Sequence, residues 1–223
     1  MKAVITGASR GIGRELVRQL LERGDEVHAC MRDPSAGPPA APKLHLHKLD
    51  VTDAAAVAAL ARELGDTAID LVINNAGVYG GPQQSVRSVD FADAMRTFDT
   101  NALGALRVSL ALLPHLKRGS AKKLVHVTSN MGSIADNTSG GFYAYRMSKA
   151  ALNMMSRGLA IDLRGDGIVS FVINPGWVQT DMGGASAPTP VDESVRNILR
   201  VIDGATLADS GEFLTWRGGR FAW

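Results

Sequence analysis

The feature that most constrains this chain is alternation. Short apolar, β-branched runs are separated by longer stretches of helical periodicity from one end of the sequence to the other. The strand runs are Lys2–Thr6, Glu26–Cys30, Lys43–Lys48, Asp70–Asn74, Lys123–Thr128, Val169–Ile173 and Glu212–Thr215. Helical patterns span Ile12–Arg23, Ala54–Leu64, Phe91–Leu113, Tyr143–Asp162 and Val191–Ile202. Such alternation calls for crossover units, which lay helices over both faces of a parallel sheet. The runs DLVINN, KLVHVT and VSFVIN are nearly continuous in apolar character, as expected of strands buried on both sides. The expected architecture is α/β: a single doubly wound domain over residues 1–223, with a mainly parallel seven-stranded sheet and helices on both faces.

Composition narrows the function classes. A hydrophobic content of 45% supports a sizeable core without disulfides or metal staples. The one cysteine, Cys30, excludes an intramolecular disulfide framework and suits a reducing compartment. A net charge of +2 gives no electrostatic case for a nucleic-acid or membrane partner. No secretory leader or bilayer-spanning run is visible, so the expected setting is cytoplasmic. Two stretches read as irregular: a Pro- and Gly-containing surface loop at Asp33–Pro42, and a small, polar, mobile loop at Gly183–Pro190.

The first strand runs into TGASRGIG, Thr6 to Gly13, and then into a helix. A glycine-rich turn there lets backbone N–H groups approach a pyrophosphate, whose charge the helix N-terminus stabilises. Gly7, Ser9, Arg10, Gly11, Ile12 and Gly13 are the expected phosphate-loop residues of a Rossmann-type domain. The glycines are spaced G-x3-G-x-G, and their place after the first strand is what gives them weight over a plain tight turn. An acidic residue ending the second strand would favour NAD(H) by bonding the adenosine ribose. Here that strand is followed by Met31 and Arg32, with Asp33 one place further. Arg10 and Arg32 together suit a 2′-phosphate, so the expected cofactor is NADP(H) in preference to NAD(H).

Further motifs follow in order: LDVTD (Leu49–Asp53), NNAG (Asn74–Gly77), Asn101, YRMSK (Tyr145–Lys149) and NPGWVQT (Asn174–Thr180). With TGASRGIG, their order and approximate spacing resemble the short-chain dehydrogenase/reductase family across practically the whole chain. The segment GSIADNTSGGFYAYRMSKAALN and the ending WRGGRFAW resemble the sniffer-like carbonyl reductases and the C-factor group. The resemblance implies that Asp50 reaches the adenine amino group, with Val51 contributing backbone. It implies that Asn74, Ala76 and Gly77 line the cleft near the ribose. Pro175, Gly176, Val178 and Thr180 would lie by the nicotinamide.

A tyrosine four residues before a lysine puts both side chains on one helix face, which selects Tyr145 and Lys149 and excludes Tyr143. An ordinary tyrosine, with a pKa of about 10, shuttles protons poorly at neutral pH. A nearby ammonium and the oxidised nicotinamide would lower that value. By resemblance, Tyr145 donates a proton to a developing alkoxide, Lys149 holds the cofactor ribose, and Asn101 holds a water linking Lys149 to solvent. A serine hydroxyl orients the carbonyl. Ser129 follows a strand directly but stands 16 residues before Tyr145, a wider separation than is usual in the family, so the resemblance implies an insertion in the Asp136–Gly141 loop. Ser133, 12 residues before it, is the competitor; the strand-end position favours Ser129.

Other signals carry less. His45 and His47 share a strand face, but without a further ligand they read as solvated, and no metal is expected. Cys30 reads as inert packing. Tyr79, Met131, Phe142 and Trp177 fall near the expected pocket rim, and the segment Trp216–Trp223 reads as packing on the last strand or at a subunit interface. The leading expectation is an NADPH-dependent reductase of small aldehydes or ketones, acting as a homodimer or homotetramer. The rival is a cofactor-binding signalling or scaffold protein on the same fold with vestigial turnover.

Overall fold

The computed structural model describes residues 1–223. Its strands are β1 (Lys2–Thr6), β2 (Glu26–Met31), β3 (Leu44–Lys48), β4 (Leu71–Asn74), β5 (Gln84–Ser85), β6 (Ser88–Val89), β7 (Lys123–Val127), β8 (Val169–Asn174) and β9 (Phe213–Thr215). The helices are α1 (Gly11–Glu22), α2 (Ala54–Leu64), α3 (Phe91–Phe98), α4 (Gly104–Arg118), α5 (Tyr143–Asp162) and α6 (Val191–Gly204). The main sheet runs β3-β2-β1-β4-β7-β8-β9, and every neighbouring pair in it is parallel. The strand order reverses between β1 and β4. Open sheets of this kind bind ligands beyond the strand C-termini at that reversal.

The apolar faces explain the layers. On one side, Leu16, Val17 and Leu20 of α1 and Val195, Ile198 and Ile202 of α6 pack on Ile5, Ile73, Val125 and Phe171. On the other, Leu60 of α2, Val108 and Leu112 of α4 and Leu159 of α5 pack on Val4, Val72 and Leu124. Consecutive strand residues thus feed opposite cores, as the two-residue period of a strand requires. No helix is long and apolar enough to cross a membrane.

Four local expectations need correction. The run Phe91–Leu113 is not one helix, because a π-helical turn at Asp99–Leu103 separates α3 from α4. Tight packing accompanies it: a β-carbon on Gly104 would stand 2.7 Å from Val51 Cγ2. Ahead of it, β5 and β6 form a small antiparallel hairpin that the apolar pattern does not announce. The Gly183–Pro190 stretch is tied down, with Ala187 and Thr189 buried and Gln179 bonded to both. His47 is buried, not solvated, because its register opposite Cys30 turns it under α2, where it meets His28. Burial and the neighbouring histidines push His28 down to about 4, so it is neutral at physiological pH. The C-terminal aromatic segment does pack on the last strand, with Phe221 and Trp223 against Phe213.

One contact decides how the loop after β1 is built. A β-carbon on Gly13, within α1, would fall 2.2 Å from the Gly7 carbonyl oxygen and 2.5 Å from Asn75 Nδ2. Gly158, within α5, has nothing near. Gly→Ala inside a helix ordinarily stabilises by about 1 kcal/mol. The expected result in urea unfolding is therefore opposite signs: Gly158→Ala raises the midpoint, and Gly13→Ala lowers it, with about 1–3 kcal/mol of stability lost through overpacking.

Candidate active site

The phosphate loop is built from backbone. Gly7 and Gly11 adopt φ of 68° and 52°, the left-handed region open mainly to glycine. A β-carbon on Gly7 would stand 2.8 Å from Ala76 Cα, so the loops after β1 and β4 touch through their main chains. Asn75 fastens them: its Nδ2 donates to the Thr6 and Gly7 carbonyls, while Thr6 Oγ1 accepts from the N–H groups of Asn75 and Ala76. Arg10 caps α1 without any side-chain hydrogen bond, and the first turn carries no acidic residue. The leading N–H groups at Gly11, Ile12 and Gly13 therefore have no side-chain partner at the helix N-terminus, which suits an anionic pyrophosphate. Thr180 closes the far side, its Cγ2 standing 3.3 Å from where a Gly11 β-carbon would be. Ser9 lies half-exposed within the loop.

Arg10, in the glycine loop, and Arg32, just past β2, are both exposed. Arg10 pairs with Asp181 at 3.2 Å, an exposed contact that a phosphate can displace. Asp33 is engaged locally, its Oδ1 accepting from the N–H and hydroxyl of Ser35. The residue that would argue for an unphosphorylated ribose is thus held in a turn. Asp50 takes a similar turn, accepting from Thr52 N and Oγ1, and Arg32 helps hold its carboxyl below the usual range. Arg32 and Asp50 share the wall of a groove of about 380 Å³. Val51 is buried beside Gly104.

The expected catalytic side chains converge where β7 meets α5. Ser129 follows β7, and its Oγ caps the short turn at Asn130–Gly132 by accepting from Met131 N. Tyr145 and Lys149 lie on one face of α5, with Lys149 Nζ 5.8 Å from the Tyr145 ring centre and donating to the Val127 carbonyl. The Ser129 hydroxyl lies near enough to the Tyr145 phenol to favour its ionised form. Ser133 is buried, its Oγ accepting from Asp136 N, so it caps a turn. Asn101, in the π turn, accepts from Val78 N and donates to the Val78 carbonyl and Ser148 Oγ. Gly77 lies close to Asn101 and Lys149: a β-carbon there would press on Asn101 Oδ1 at 3.2 Å and touch Lys149 Nζ at 3.5 Å. At the end of β8, Gly176 has a φ of 83° and Pro175 accepts from Ser194 Oγ, while Val178 is buried in a bridge to Thr189.

The short chain dehydrogenase family matches residues 1–190. The chain belongs to that family. It is 54% identical over 155 residues to the C-signal of Myxococcus xanthus, spanning 70% of this chain and 93% of that protein. Its fold matches the NADPH-bound carbonyl reductase from chicken fatty liver at 34% identity and a TM-score of 0.90, covering 100% of this chain and 98% of that one. It matches the carbonyl reductase Sniffer of D. melanogaster at 29% identity and a TM-score of 0.91, covering 100% and 99%.

Within this short-chain dehydrogenase, two expectations change. The Asn74 side chain does not face the cleft: it is buried, and its Nδ2 lies against Ser109 Oγ and His126 Nδ1. Strand alternation turns Asn74 inward and leaves Asn75 to hold the loop. The phenol also shifts the other way from expectation. Burial pushes Tyr145 up to about 12, outweighing the nearby Ser129 hydroxyl, which favours phenolate. Burial likewise presses Lys149 down to about 8. Gln84 is a residue the sequence pattern does not single out. Its Oε1 accepts from Tyr145 N while its Nε2 donates to the Tyr79 and Gly81 carbonyls, so the hairpin holds the Tyr145 end of α5. Tyr79 completes the wall, packing on Tyr145 with ring centres 4.7 Å apart.

A buried ammonium held for function destabilises the fold that holds it. With a folded pKa below the unfolded value, that penalty is fully present below about pH 8 and fades as pH rises toward the unfolded lysine range. Lys149→Met is expected to abolish turnover yet stabilise the protein at pH 7 by about 1–3 kcal/mol. In thermal unfolding, the gain over wild type should shrink at pH 9–10.

Proposed function

We propose that this protein is an NADPH-dependent carbonyl reductase that reduces small aldehydes or ketones to alcohols. The observation that carries the reading is the junction of Ser129, Tyr145 and Lys149 at the strand ends beside the glycine loop. The glycine loop and the uncapped start of α1 hold the pyrophosphate. Arg10 and Arg32 hold the 2′-phosphate, Asp50 and the backbone of Val51 meet the adenine, and Ala76 and Gly77 flank the ribose. Pro175, Gly176, Val178 and Thr180 border the nicotinamide. When bound, NADPH supplies the hydride.

The side chains do the rest. The Ser129 hydroxyl donates a hydrogen bond to the carbonyl oxygen and stabilises the charge that grows there. Tyr145, kept protonated by burial, then gives its proton to that oxygen, and a phenol near 12 is fully loaded for the task at neutral pH. Lys149 steadies the ribose. Asn101 pins the Val78 backbone to α5 and so fixes the floor on which Lys149 rests; a water held at this π turn links the ammonium to solvent. Tyr79 and Phe142, packed with ring centres 5.7 Å apart, favour an apolar substituent beside the carbonyl. Exposed Met147, Met154 and Ile161 along α5 support association of copies through that helix.

The 54% identity to the C-signal favours a second reading, a signalling protein on the same fold whose turnover is vestigial. Tyr145→Phe separates the two. Reductase turnover should fall by roughly 10²–10⁴ while NADPH binding, followed by nicotinamide fluorescence, persists. Unchanged turnover in the variant would reject Tyr145 as the acid. A biological effect that survives the loss of turnover would favour the signalling reading.

A further inference from the structure

Between β2, β3 and α2, five polar side chains meet that no part of the reductase mechanism uses. Glu26 and His28 share one face of β2, and the parallel register sets His45 opposite His28 and His47 opposite Cys30. All therefore point to the side covered by α2, which adds Glu63. The reading of His45 and His47 as a pair without a third ligand took no account of this register. We propose that Glu26, His28 and His45 form a binding site for one divalent transition-metal ion of the zinc class.

The geometry has three parts. One donor atom from each of the three residues lies within 4.8 Å of the others. Glu26 Oε1 stands 3.3 Å from His45 Nε2 and 3.7 Å from His28 Nε2. Ligands about 2.0–2.1 Å from a tetrahedral ion stand about 3.4 Å from one another, so these separations need little adjustment. The His28 and His45 rings are stacked, with centres 4.7 Å apart and planes 18° from parallel, so the exposed His45 ring must turn for both in-plane lone pairs to converge on one ion.

The second part is the unused atom. His28 is 6% exposed, and its Nε2 has no hydrogen-bond partner. A buried imidazole nitrogen without a partner is uncommon unless it serves another ligand. The third part is the outer layer. His28 Nδ1 lies 2.9 Å from His47 Nε2, and His47 Nδ1 lies 3.1 Å from Glu63 Oε1, in an approach too bent for a well-aligned hydrogen bond. Glu63 is mostly exposed and free to rotate into line. That order favours the proton of His47 on Nδ1 and that of neutral His28 on its own Nδ1, leaving a lone pair on His28 Nε2. A carboxylate-to-histidine chain behind a ligating histidine is the usual way a metal ligand is oriented. Lys2 occupies only the other carboxylate oxygen, at 3.2 Å from Glu26 Oε2, and so leaves Oε1 free to ligate.

Bound there, the ion ties edge strand β3 to β2 at the end of the sheet opposite the cofactor cleft. The test uses tag-free protein, titrated with zinc chloride by calorimetry and with Co²⁺ by visible absorption. Expected are one ion per chain in the micromolar range or tighter, a Co²⁺ spectrum of tetrahedral intensity, and a zinc-dependent rise in Tm. His45 is exposed at the edge, so His45→Ala should fold normally while binding weakens at least tenfold; Glu26→Gln should do the same. Absence of one-to-one binding, or equal binding by wild type and His45→Ala, would overturn the proposal and leave the cluster a salt-bridged strand edge.

Discussion

The functional edge of this molecule depends on one contact, the main-chain approach of the loop after β1 to the loop after β4. Gly7 and Gly13 leave no space for a β-carbon, and Asn75 bonds the carbonyls that the turn exposes. Because those strands flank the reversal of strand order, this contact sets where the start of α1 points and how wide the cleft stands. It also fixes Ala76 and Gly77, and Gly77 in turn leaves Asn101 and Lys149 their places.

A second constraint acts around Tyr145. The tyrosine, Lys149 and His126 are all buried, and burial opposes charge on each: the phenol rises, while the ammonium and imidazole fall. Charge alone, from the ammonium four residues on together with the oxidised nicotinamide, leads to the opposite expectation for the phenol. That ammonium donates to Val127 and lies over the ring, not at the hydroxyl, so desolvation decides the outcome. An acid that stays protonated suits reduction. Burial makes the Lys149 charge unfavourable, a perturbation of the kind that clusters at functional sites.

The strands and helices were legible where a single period ran uninterrupted. β1, α2 and α5 begin and end where the pattern places them, since two-sided burial and amphipathic spacing leave little choice there. The π turn at Asn101 was not legible, because helical periodicity barely changes across one wide turn. Gln84 was hidden for another reason: one of two adjacent glutamines at a two-residue strand has no local pattern, and its three side-chain bonds are all to backbone brought near by folding. Asn75 was within reach of sequence reasoning, since alternation along β4 allows only one of two adjacent asparagines to face the loop. The histidine cluster depends on strand register, which composition and spacing within β3 alone do not reveal.

The central claim is that this backbone cradle, with Arg10 and Arg32 at its rim, is made for a 2′-phosphorylated dinucleotide. The most direct measurement is a titration of the wild-type protein and an Arg10→Ala/Arg32→Ala variant with NADPH and with NADH, followed by nicotinamide fluorescence. The account predicts NADPH binding at least about tenfold tighter, about 1.4 kcal/mol, with the difference lost in the variant. Equal or tighter binding of NADH by the wild type would contradict it and make Asp33, released from Ser35, the ribose partner.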